Sequence, residues 1–221
     1  MTSISKTKRL VVLTTIILIC AIIAFFIAMK YTQPQLKMTA AIKINTAGQP
    51  TLGNENARIH IVAFEDLKCM NCRLFNARIL PHIKKEYVDT GIANYTVIPL
   101  AFIPGSIPAA NAALCLHKQK PKFFFSFVEY TYTHQPAENT DWATIPKLLQ
   151  YAQQSSPSAN LDNLSDCIFE SRYSKQINAN FAIAQKAMGD SVSTPTVYIN
   201  GHKVESMSSD AIDKMIKQLK D

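Results

Sequence analysis

Residues Ile59–Cys72 read IHIVAFEDLKCMNC, and the fold turns on them. Ile59–Phe64 is rich in branched and aromatic apolar side chains and reads as a buried strand. The rhythm then changes. Leu74, Ile79, Leu80 and Ile83 fall at roughly helical spacing, which predicts a helix starting at Cys69 or Met70 and kinked at Pro81. Tyr95–Ala101 (YTVIPLA) is a second β-rich run. Strand, helix and strand predict a βαβ unit with a parallel pair. Cys69-Met70-Asn71-Cys72 therefore sits at the junction of a strand and a helix.

Outward from this unit the pattern is mixed. Pro108–Lys118 is Ala-rich, and Lys122–Thr133 carries Phe123, Phe124, Phe125, Phe127, Tyr130 and Tyr132. With Trp142–Gln154, Leu161–Phe169 and Ser171–Met188, these runs predict a mainly helical insertion over 106–188. The aromatic cluster reads as core packing between short helices rather than as a ligand cage. Strand character returns at Thr196–Asn200 (TVYIN). Asn200-Gly201 is a strong two-residue hairpin turn, with His202–Glu205 as the returning strand. Asp210–Leu219 closes as an amphipathic helix with Ile212, Met215, Ile216 and Leu219 inward. Upstream, 31–55 holds Pro34, Gly48, Pro50 and Gly53 and reads as a linker, with one short strand over Thr39–Ile44. The α/β body is thus split in two, 56–105 and 189–221.

The N-terminus sets the compartment. Leu10–Met29 is uncharged throughout, which is enough helix to cross roughly 30 Å of hydrocarbon. Phe26-Ile27-Ala28-Met29-Lys30 makes a poor cleavage site, and Ile17-Leu18-Ile19 before Cys20 does not suit a lipoprotein signal. Residues 1–30 are read as an uncleaved signal anchor with its transmembrane helix over 10–29. Lys6, Lys8 and Arg9 keep the N-terminus in the cytoplasm, so the body lies on the periplasmic or extracytoplasmic side of the inner membrane. Residues 1–30 contribute +4 of the formal +7, and the body is only mildly basic. No dense Lys/Arg patch suggests a nucleic-acid partner. Cys69, Cys72, Cys115 and Cys167 then lie in an oxidising compartment, where an even count allows two pairs.

The C-x-x-C at a helix start is a redox constellation. Thiolate is the nucleophile of disulfide exchange, and a helix N-terminus stabilises it. Cys69 is expected to be the exposed nucleophile and Cys72, one turn later, the resolving thiol beneath it. Lys68 and Arg73 either help the thiolate or are solvated surface charges. Other readings are half of a zinc site, a short structural disulfide, or two soft ligands for Cu(I) in a metallochaperone. The histidines are scattered and the methionines are not clustered, so no metal ligand set is assigned. Ser193-Thr194-Pro195-Thr196 precedes the last hairpin. A trans proline that merely starts a strand is one reading. A cis proline beside a C-x-x-C would expose a backbone edge for a substrate peptide.

Together these motifs resemble DsbA-type thiol:disulfide oxidoreductases of the thioredoxin superfamily. The resemblance runs from Gly53 to Leu219. It rests on Gly53-Asn54-Glu55-Asn56-Ala57, IHIVAFEDLKCMNC, Ala112-Ala113-Leu114-Cys115, Asp166-Cys167-Ile168 and Thr194–Gly201. It implies a thioredoxin fold with a helical domain inserted between its strands. It assigns Cys69 and Cys72 to catalysis, and Met70, Asn71, Thr194 and Pro195 to substrate binding. The cofactor is the Cys69–Cys72 disulfide itself. The implied partners are reduced or partly folded secreted proteins and a DsbB-like, quinone-linked membrane oxidoreductase. Residues 31–55 are too few for an isomerase-type dimerisation domain, so a monomer is expected, with a reductase or isomerase as the alternative activity. Cys115 and Cys167 are expected to form a structural disulfide, with two buried free thiols as the alternative. Its 51 intervening residues would make it worth roughly 4 kcal/mol by chain entropy.

Two departures stand out. The family's buried acid, six residues before the first Cys, is here Ala63. Glu65 and Asp66 are expected to point elsewhere or to cap the next turn, leaving water or another group to move the proton. The dipeptide Met70-Asn71 lacks the histidine of the strong oxidases, which predicts a weaker oxidant than roughly −120 mV.

Overall fold

The computed structural model describes residues 3–31 and 38–220. Two units are present, the N-terminal helix and the body. Helix α1 runs over Ser3–Tyr31, and within it Lys8–Phe26 is long and apolar enough to cross a membrane. Its large apolar side chains, Leu10 to Phe26, are exposed. The part of the expected linker at 32–37 lies outside the described residues.

The body is a five-stranded sheet in the order β1-β3-β2-β4-β5, formed by β1 (Thr51–Gly53), β2 (Ile59–Asp66), β3 (Ala93–Leu100), β4 (Thr196–Ile199) and β5 (His202–Lys203). The parallel pair is β2 with β3, in register from Ile59 opposite Ala93 to Asp66 opposite Leu100. β4 runs antiparallel to β2, and β5 antiparallel to β4. Alternation along β2 sorts its side chains to two faces. Ile59, Ile61 and Ala63 join the larger core with Cys72 and Phe75, whereas Val62 and Phe64 pack on the other face with Ile98, Leu100, Ala184 and Tyr198.

The first strand is not where the linker pattern put it. Thr39–Ile44 forms no strand. It runs beside the last hairpin through isolated bonds, such as the Ile42 N–H to the Gly201 carbonyl at 3.0 Å. The paired segment is Thr51–Gly53, antiparallel to β3. That close approach requires glycine at 201: φ is +84°, and a Cβ would lie 2.2 Å from the Ile42 carbonyl oxygen.

After β2 come α2 (Met70–Arg78), α3 (Leu80–Ile83) and a π-helical turn, Lys84–Val88. The break at Ile79 is the expected kink, since Pro81 has no N–H to bond the preceding turn and its ring clashes with it. Leu74 does not face inward as its spacing implied; Cys72 and Phe75 do, and Leu74 is exposed.

The insertion is α4 (Ile107–Gln119), α5 (Pro121–Thr133), α6 (Ile145–Ser155), α7 (Leu161–Phe169) and α8 (Ser174–Met188). Phe123, Phe124, Phe127 and Tyr132 are core residues. α6 starts later than the apolar pattern at Trp142, because Thr144 is extended and Pro146 occupies the first turn. Helix α9 (Ser209–Lys220) buries Ile212, Met215 and Ile216. Cys115 of α4 is bonded to Cys167 of α7, which removes both from any zinc ligand set. Replacing both by serine is expected to cost roughly 2–4 kcal/mol, from the unfolded-state freedom that the closed loop denies. Urea unfolding of the full chain in detergent, without reductant, checks this.

Candidate active site

The site is assembled where β2 ends. Asp66 is fully buried there. Its carboxylate accepts from Lys68 N–H at 2.9 Å, from Phe102 and Ile103 N–H at 3.1 Å each, and from the Ser106 hydroxyl at 2.9 Å. Burial pushes its pKa up, and these donors oppose that. The Cys69 N–H donates to the Asp66 carbonyl at 3.0 Å, closing the turn into α2.

Cys69 occupies the N-cap position of α2, with extended backbone and no side-chain cap. Its thiol is pulled from 9.0 to about 6. Hydrogen bonding from Cys72 is the largest cause; contact with Thr194 and the Cys72 and Asn71 N–H groups add to it, against burial. As a thiol, Cys69 Sγ donates to the Thr194 carbonyl at 3.4 Å. The buried Thr194 Oγ1 has no hydrogen-bond partner among the described residues. Cys72 moves the opposite way. It is fully buried, and burial first, then its bond to Cys69 and the Glu65 charge, push its pKa well up. The two thiols are thus driven apart, as an acid–base division of labour requires.

The Thr194–Pro195 peptide bond is cis. Between this loop and α2 lies a groove of about 370 Å³ lined by Asn71, Leu74, Phe75, Thr194, Pro195 and Met207. Met70 is exposed at the start of α2.

Beneath the pair is Glu65, 1% exposed. Its carboxyl accepts from the Tyr95 hydroxyl and from Asn76 Nδ2 at 2.6 Å; Asn76 also donates to the Cys72 carbonyl at 3.0 Å. Burial raises the Glu65 pKa from 4.5, against these bonds. A cleft of about 550 Å³, lined by Arg73, Asn76, Tyr95 and Tyr132 among others, reaches the groups that hold it.

Comparison with known proteins agrees with this geometry. The family model described as Thioredoxin matches residues 45–218. The chain belongs to the thioredoxin family. Among curated proteins, the disulfide bond formation protein D of Bacillus subtilis is 31% identical over 176 residues, covering 78% of each chain. Among crystal structures, oxidised BdbD from Bacillus subtilis superposes with a TM-score of 0.76 at 28% identity, over 82% of this chain and 98% of that one. Chlamydia trachomatis DsbA gives 0.74 at 31% identity, over 82% and 96%. This thioredoxin-family chain is a DsbA-type thiol:disulfide oxidoreductase.

Three sequence expectations need correction within this thioredoxin-family site. Cys69 is more accessible than Cys72 but keeps only 6% of its surface, with the Thr194 carbonyl against its sulfur and Gln135 of the insertion against its own carbonyl. Lys68 is neither solvated nor turned to the thiol: it is 3% exposed, with Nζ donating to the Pro104 carbonyl at 2.6 Å. Glu65 does not point away. Period-two alternation puts it on the same face of β2 as Ala63, so an acid two residues late still faces the cysteine pair. That alternation was the signal available in the sequence. Asp66 does cap the following turn.

The Glu65 environment predicts a pH slope. A carboxyl whose folded pKa is raised binds more protons in the folded state, so stability falls as pH rises from 4.5 through the folded value. Asp66 adds in the same direction. In protein oxidised at Cys69–Cys72, where neither thiol titrates, urea unfolding is expected to show lower stability at pH 8 than at pH 5. The E65Q variant is expected to flatten that difference.

Proposed function

We propose that this oxidoreductase is anchored in the cytoplasmic membrane by residues 10–29 and introduces disulfides into secreted proteins on the extracytoplasmic side. The asymmetry of the two thiols carries the reading: Cys69 is held as a thiolate at a helix N-terminus, while Cys72 is buried and held protonated. Thiolate stabilisation favours the reduced pair, so the disulfide is an electron acceptor. The apolar run from Leu10 within α1, with Lys6, Lys8 and Arg9 on its N-terminal side, supports the anchored orientation.

In the proposed cycle a substrate thiolate attacks Cys69 Sγ of the oxidised pair. The Cys69–Cys72 bond breaks and a Cys69–substrate bond forms. Cys72 leaves as a thiolate and takes a proton, for which the source is the buried acid Glu65, linked to the Cys72 carbonyl through Asn76, with the cleft at Asn76, Tyr95 and Tyr132 as the route to water. A second substrate thiolate then attacks the substrate sulfur of the mixed disulfide, and Cys69 leaves as the stabilised thiolate. Two electrons pass from substrate to enzyme. Asn71, Thr194 and Pro195 line the groove in which an extended substrate would lie, and Met70 is exposed at the start of α2. The proposed state is a monomer. A DsbB-like quinone-linked membrane protein would reoxidise the pair.

The potential is expected between the extremes of the fold. A thiol at about 6 lies between thioredoxin's roughly 7 and the roughly 3.5 of the strongest oxidant. The potential is accordingly expected between theirs, roughly −270 and −120 mV. Thiolate absorbance of the reduced full chain in detergent is expected to titrate with a midpoint near 6, being lost as pH falls through it and absent in C69S. Oxidised protein mixed with reduced, unfolded ribonuclease is expected to transfer one disulfide per equivalent. Catalysis confined to rearranging scrambled ribonuclease would favour the isomerase reading instead.

A further inference from the structure

The first turn of α2 has three backbone N–H groups with no partner inside the helix, those of Met70, Asn71 and Cys72. Those of Asn71 and Cys72 help to lower the Cys69 pKa. The third, the Met70 N–H, donates to Glu138 Oε2 at 2.8 Å. Glu138 comes from the loop between α5 and α6, outside the thioredoxin core and 68 residues along the chain. The same loop holds the preceding peptide units. Gln135 is buried, and its Nε2 donates to the carbonyls of Leu67 at 2.8 Å and Cys69 at 3.3 Å. The insertion therefore grips the backbone on both sides of the nucleophile, with an amide on the carbonyl side and a carboxylate on the N–H side.

Among the described residues no lysine, arginine or histidine forms an ion pair with Glu138. Of the two cations that flank the cysteine pair, Lys68 donates to the Pro104 carbonyl and Arg73 forms no ion pair with Glu138 among the described residues. A carboxylate on a helix N-terminus stabilises the helix, but it uses the positive end that a thiolate would use, and it repels that thiolate.

We propose that Glu138 is a positioning residue that sets the redox poise of the pair. It places a second negative charge at the helix end that stabilises the Cys69 thiolate, and so holds the disulfide below the oxidising power that α2 would otherwise give it. The helical insertion thereby acts on the chemistry as well as covering it. This rests on the thiol:disulfide exchange of Cys69 and Cys72, whichever direction that exchange takes in the cell.

The test is E138Q in the full chain in detergent, compared with wild type. Glutamine keeps an acceptor for Met70 N–H and removes the charge. The midpoint of thiolate absorbance is expected to fall. The equilibrium constant for reduction of the disulfide by glutathione is expected to rise about three- to tenfold, or about 15–30 mV more oxidising for a two-electron couple. E138A, which also frees the N–H, is expected to move both readouts in the same direction. A structural cap alone would give a lower melting temperature in E138A and no change of midpoint or potential in E138Q. That result, or a shift in the opposite direction, overturns the proposal. Both readouts are ratios to wild type, so a wild-type potential far from the expected range would sink the oxidase reading without deciding this one.

Discussion

The Asp66 carboxylate is the tie on which the site depends. It ends the central strand, and its four donors come from the turn into α2 and from the segment that leads β3 into α4. A buried carboxyl with that many donors locks two turns into one geometry, since losing any of them leaves a polar group unpaired away from water. Tyr132 of α5 adds a bond to the Asp66 carbonyl at 3.2 Å. Cys69 is therefore stationed by groups from both halves of the molecule, the thioredoxin core and the helical insertion.

Around that station, charge is distributed unevenly. The first-turn amides and the Thr194 contact draw the Cys69 thiol down, while burial and the acid beneath it drive Cys72 up. The cis Thr194–Pro195 loop closes over the sulfur from the β4 side. Glu138 caps the helix from the other side. The reactivity of one sulfur is a balance among 65–72, Glu138 and the Thr194–Pro195 loop, which are distant in sequence, and this is why a C-x-x-C alone says little about redox poise.

The βαβ unit, the last hairpin and the insertion helices were legible because each rests on local rules: apolar period, the Asn-Gly turn and proline's missing N–H. The first strand was misplaced. Thr39–Ile44 has alternating apolar residues, but its neighbour is the hairpin turn, which offers single bonds and no ladder, while β3 pairs with Thr51–Gly53. Lys68 and Leu74 were misread for a related reason. Whether a long or apolar side chain next to a cysteine is covered depends on what folds over it: the Pro104 segment covers Lys68, whereas Leu74 is left open on the groove.

Glu65 marks the boundary between what sequence and tertiary structure decide. By itself the sequence determines that a C-x-x-C starts a helix after a buried strand, that Ala63 and Glu65 share a face of that strand, and that a long apolar helix precedes the body. These follow from backbone periodicities, which need no partner. Only the tertiary structure decides that Cys115 meets Cys167, that Asn76 and Tyr95 turn Glu65 into a buried acid under Cys72, and that Glu138 reaches the Met70 amide. Each of those is a contact across many residues, and its energy depends on burial and on distance, neither of which is written in the order of the residues.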